Sequence, residues 1–263
     1  MPIQRFSPTA AQAMPQTLTT PRPSPKPTPT SAVQTPDHIE RSSDNVSRTA
    51  KGIAVDHALP QRYRLRAVTP NLAEKKTSNA LLMDTHAGKI DKQSNAPRGM
   101  DVIRSDAPHG GTPTHHLNIN KRLTNVEDPH LPISPAVYTG VGTMARTLEI
   151  ASKAALPLAV TIDTARIGNA VMQDDGKIGK HTTAILGNVA GGWSGATAGA
   201  WGGAQAGALI GAEIGAPFGP VGALPGAAAG GLVGGIAGGI GGGIAGSQIG
   251  ERIATHLTKG NTP

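Results

Sequence analysis

Four of the nine histidines fall in one short stretch, where His109, His115, His116 and His130 stand among Asp106, Asn118, Asn120 and Asp128. Imidazole titrates near neutral pH and also ligates metals, so such a cluster could activate a nucleophile or hold zinc. The alternation His116-Leu117-Asn118-Ile119-Asn120 would set His116, Asn118 and Asn120 on one face of a strand, because strand side chains alternate. His109, His115, His116, Asn118 and His130 are therefore the candidate catalytic residues. Their spacing reproduces no HExxH or CxxC metal motif. A histidine-rich loop is the preferred reading; no metal or cofactor is assigned, and the balance leans away from an enzyme.

Whatever positions that cluster must contend with the glycines that follow it. One series runs Gly187, Gly191, Gly195, Gly199, Gly203, Gly207, Gly211, Gly215; a second runs Gly226, Gly230, Gly234, Gly238, Gly242, Gly246, Gly250. Four-residue spacing stacks glycines along one face of a helix, so each series draws a smooth stripe on a rod. Ala216 to Pro225, with three prolines, reads as the loop joining the rods. In water each helical glycine costs about 1 kcal/mol relative to alanine, so fifteen cost about 15 kcal/mol. In lipid the helix is nearly obligatory, and small residues let two backbones pack closely. Glu213 is the only formally charged side chain from 182 to 250. These fifteen glycines are the expected membrane-packing residues. A four-residue stripe drifts by roughly 280° over eight glycines, so the helices must bend, or further copies must share the stripe.

Composition bounds the rest. Aromatics make up 2% of the 263 residues, and cysteine is absent, which excludes a disulfide scaffold and thiolate metal sites. The net charge of +7 favours an anionic partner. With so few rings for base stacking, nucleic acid is disfavoured and an anionic lipid membrane preferred. Homo-oligomers through the glycine stripe are the second expected contact.

The expected fold class is a mostly disordered N-terminal half followed by an all-α C-terminal part, an amphipathic helix and then a glycine-zipper hairpin. Residues 1–50 read as a disordered Pro/Ser/Thr-rich region, with Thr20 to Pro29 able only to extend. Residues 51–135 read as largely irregular and polar, with Gln61 to Arg66 a short basic strand candidate and the histidine-rich segment at 106–130. Residues 136–175 read as an amphipathic helix carrying Met144, Leu148, Ala151, Ala155, Leu158, Ile162, Ala165 and Val171 as its apolar stripe. Pro157 should kink or split that helix. It could cover the hairpin, 180–258, in water. Lys177, Lys180, Arg252 and Lys259 flank the hairpin's outer ends and favour one anionic side.

Three resemblances follow from these residues. The glycine pattern resembles the zipper hairpins of bacterial toxins and membrane-associated effectors, which implies membrane insertion or pore formation. Ile3 close behind Met1, with Ser/Thr/Gln enrichment and no acidic residue before Asp37, resembles the export signal of type III secreted effectors. That likeness implies a bacterial virulence protein delivered into a host cell, with a secretion chaperone as partner and a host membrane as destination. The order of histidine-rich segment and then hairpin is similar to polymorphic toxins, which implies an enzymatic, hydrolase- or nuclease-like alternative. A harpin-like elicitor, also cysteine-free and glycine-rich, is the further alternative.

Overall fold

The computed structural model describes residues 36–259. The export-like opening therefore lies outside the described residues.

The described chain is mostly helical with one small antiparallel sheet. Helix α1 spans Pro36–Ala58. Strands β1 (Tyr63–Ala67), β2 (Ser78–Asp84), β3 (Met100–Asp106), β4 (His116–Ile119) and β5 (Leu131–Pro132) follow. They form an antiparallel meander in chain order. A single-turn helix α2, Lys121–Thr124, sits between β4 and β5. Helix α3 covers Pro135–Gln173, α4 Lys180–Gly215 and α5 Pro220–Lys259.

The sheet corrects the expectation of a mostly disordered N-terminal half. Residues 63–132 carry few large apolar side chains, but Tyr63, Leu82 and Val102 from three strands share one buried cluster with Ala227 and Ala228 of α5. A strand pattern so sparse is hard to read alone; the flat, small-residue surface of α5 supplies the missing half of the core.

Helices α4 and α5 run antiparallel and meet glycine to glycine. Gly187 faces Gly250, Gly191 faces Gly246, Gly199 faces Gly238 and Gly211 faces Gly226, each step of four up one rod matched by four down the other. A methyl group built on any of these glycines would lie well under 3.0 Å from the carbonyl oxygen of the partner. One partner meets the stripe along its whole length, which a straight rod could not do; two helices winding about each other would absorb the drift, and a repeat longer than 3.6 residues calls for the right-handed sense. The connection is also shorter than expected. Only 216–219 join the rods, with Gly219 at φ +65°. Helix α5 resumes at Pro220, whose missing N–H costs nothing in the first turn, and it holds Pro225 inside. Gly222, placed in the loop by sequence, thereby packs against Gly215.

One residue beside each seam position, a second row of small residues packs on α1. Gly239 and Gly243 lie against the backbone at Gly52 and Arg48. Helix α3 packs on the other flank of α1 through buried Ala155, Ala159 and Asp163. Its expected apolar stripe covers the hairpin only in part: Ala155 is buried in a cluster that Trp193 of α4 packs against, while Met144 and Leu158 are 50% and 45% exposed. Small residues won the contact because they allow closer approach. Helix α3 runs on through Pro157, which does not split it.

Near the end of α1, Asp56 accepts a hydrogen bond from the Gln61 amide at 3.2 Å. Burial pushes its pKa up from 3.8 to about 6, opposed by Arg64 and by Gln61. The folded state then binds this proton more tightly than the unfolded chain, so stability falls as pH rises from 3.8 to about 6 and is level above. Asp56→Asn is expected to remove that slope and to gain about 1 kcal/mol near neutral pH, after allowance for partial solvent screening. Thermal unfolding of both proteins at about pH 4.5 and about pH 7 checks it. An advantage of the same size at both pH values would count against the assignment.

Candidate functional site

The β3–β4 hairpin assembles the histidine segment. The register sets Asp106 directly opposite His116 and Arg104 opposite Asn118. His116 and Asn118 lie two apart on β4 and both are buried. Asn120 instead caps α2, its side chain accepting from the Arg122 N–H at 3.0 Å.

His116 is 0% exposed, and its Nδ1 lies 2.8 Å from the Thr114 carbonyl oxygen. A carbonyl only accepts, so Nδ1 bears a proton, and in the neutral ring Nε2 carries the lone pair. That Nε2 is buried without a hydrogen-bond partner, as is Oδ1 of Asn118. His109 comes back over the ring from the turn at Gly110-Gly111, its ring centroid 5.0 Å away and edge-on. His130 approaches at 5.3 Å, also edge-on. Its backbone is left-handed at φ 44°, and its N–H donates to Asp128. His115 goes elsewhere, its ring packing at a tilt of 48° against Tyr138 of α3, with centroids 4.7 Å apart. Burial, with the Asp106 charge adding to it, pushes the Tyr138 hydroxyl up. Of the five candidates, four converge and His115 does not.

Asp106 organises the cluster. It is 1% exposed and accepts from Ser78 Oγ at 2.6 Å, Asn118 Nδ2 at 2.5 Å and Arg104 Nε at 2.9 Å. Ser78 and Arg104 were missed by sequence reading. Ser78 reaches Asp106 only because β2 pairs with β3 in that register, and no local pattern encodes such a contact. Asp106, His109 and His116 bring three potential ligand atoms within 4.8 Å of one another.

The hairpin carries the other candidate residues. Its fifteen glycines line the α4–α5 seam within one chain. Among the described residues nothing covers the apolar outer face beside the seam, where Trp201, Leu209, Ile214, Phe218 and Val233 are between 64% and 76% exposed.

Fold and site define a five-stranded meander bearing a histidine–aspartate cluster, set against a close-packed helical hairpin. Residues 78–151, from β2 into α3, match a family model described as the C13G5.2-like N-terminal domain. The chain is 38% identical over 76 residues to the uncharacterized protein C13G5.2 of Caenorhabditis elegans, a match covering 27% of this chain and 21% of that protein. No solved structure matches.

These matches correct the expected kinship. The similarity is to a nematode protein, and it runs through the histidine strands; it gives no sign of a type III effector, of secretion, of virulence or of a toxin. The enzymatic-toxin and harpin alternatives go with it, as does placement in a host cell. The bacterial resemblance rested on Ile3 and an acid-poor Ser/Thr/Gln opening, on a glycine period, and on the order of histidine-rich segment and hairpin, features of composition and helix packing that unrelated chains reach independently.

Proposed function

We propose that this chain is a membrane-seated protein whose α4–α5 hairpin, a glycine zipper closed within one chain, rests its outer face on anionic lipid. The observation that carries the reading is an inverted distribution of polarity around the helices. Phe218, Leu209 and Ile214 face outward at 76%, 73% and 72% exposure, while Lys51, Asp163 and Asn188 are buried between helices. Water favours the reverse arrangement, and contiguous exposed apolar surface marks an interaction site. Among the described residues α5 is the one helix long and apolar enough to cross a membrane. Lys177 and Lys180 stand just before and at the start of α4 and Arg252 in the last turns of α5, at the same end of the antiparallel pair, which suits an anionic headgroup layer.

Flotation of the full chain with phosphatidylcholine vesicles, with and without phosphatidylserine, tests this. Co-flotation that survives high salt is expected, because apolar burial is not screened. It should be lost in Leu209→Glu/Ile214→Glu/Val233→Glu. Adsorption released by salt would reduce the contact to net charge, and no binding would sink the proposal. A second copy on the same face would instead give a dimer in the absence of lipid.

A further inference from the structure

We infer that Asp106, His109 and His116 bind a divalent transition-metal ion, with zinc the best match. The inference stands apart from the membrane reading, since it uses only the sheet.

His116 is the anchor. Its wholly buried ring presents an Nε2 lone pair that no protein group meets. A buried acceptor without a partner is costly, and buried polar atoms in folded proteins are nearly always satisfied. A metal cation satisfies this one. The Thr114 carbonyl, 2.8 Å from Nδ1, then fixes tautomer and ring orientation, as a backbone carbonyl does behind a metal-bound histidine.

Asp106 supplies the charge. It stands opposite His116 in the strand register and is held in place by Ser78 and Asn118. Arg104 shares this carboxylate, but its side chain is 40% exposed and has Asp101 within 4.0 Å as a second anion to turn to.

His109 closes the site. The three ligand atoms lie within 4.8 Å of one another, whereas two ligands on a tetrahedral zinc ion, each about 2.1 Å from it, stand roughly 3.4 Å apart. His109 is the member free to move inward. It is exposed, and a side chain built on Gly110 or Gly111, in the turn that carries it, would meet nothing within 4 Å. Two neutral imidazoles and one carboxylate suit zinc better than magnesium or calcium, which prefer oxygen. Three protein ligands leave a fourth position for water.

The test is titration of the metal-free full chain with zinc against a chromophoric chelator, and with cobalt(II) for its visible absorption. One equivalent bound at micromolar affinity or tighter is expected, with the cobalt spectrum of a four-coordinate nitrogen–oxygen site. His109→Ala removes an exposed side chain, so the fold should survive by circular dichroism while affinity drops by about tenfold or more. His116→Gln should abolish binding, and His181→Ala, on α4, should leave it unchanged. Absence of binding at micromolar zinc overturns the site. So does binding that His109→Ala leaves at full affinity.

Discussion

Gly203→Ala is expected to destabilise the protein by about 3 kcal/mol or more, whereas Gly202→Ala, one residue away, should stabilise it by up to about 1 kcal/mol. The two substitutions make the same helix-propensity gain. They differ in what the new methyl group meets. At Gly203 it would overlap the Gly234 carbonyl oxygen and sit 3.0 Å from both Gly234 C and Gly238 Cα. These are backbone atoms, which cannot rotate away, so the rods must part along a seam that runs the length of both helices. At Gly202 nothing lies within 4 Å. Gly241→Ala on α5 is equally open and should behave as Gly202→Ala does. Denaturant unfolding of the variants reads the difference directly. Equal effects at 202 and 203 would mean that the α4–α5 seam is not packed as described.

The second large effect is expected at Asp163→Ala, a loss of about 3–5 kcal/mol. Asp163 accepts from Ser47 Oγ at 2.7 Å and Trp193 Nε1 at 3.0 Å, and its carboxylate pairs with Lys51 Nζ at 3.0 Å. Arg166 stands 3.7 Å off and also pairs with Asp44, tying α3 to α1 a second time. Asn188 extends the network to α5 by donating to Glu251 at 2.9 Å. Burial draws the Lys51 pKa below the usual lysine value, and the Asp163 carboxylate opposes that pull. Removing the carboxylate therefore strands a buried ammonium. Replacing both partners, Lys51→Met with Asp163→Leu, leaves no stranded charge and should recover most of the loss. A double-mutant cycle on unfolding free energy checks the coupling, and additive losses would show that the pair does not act as a unit.

Much of the helical half was legible in the sequence, because its message is periodic. Glycine at every fourth residue can only stripe a helix, and two such stripes joined by a proline-rich stretch can only fold back as a hairpin. The alternation from His116 to Asn120 offered a strand for the same reason, although a histidine-rich loop was the preferred reading; the structure makes His116–Ile119 strand β4. What the tertiary structure decided lies between elements. That the whole stripe is used inside one chain depends on two helices winding about each other, a global curvature no local window contains. The pairing of Asp106 with His116 rests on strand register, and the meeting of Lys51 with Asp163 on the packing of α1 against α3. Beyond the candidates at Gln61 to Arg66 and His116 to Asn120 the sheet could not be read, because Tyr63, Leu82 and Val102 complete a core only against Ala227 and Ala228 of α5. Periodicity acts along the chain and can be read there; contacts across it exist only once the backbones have come together.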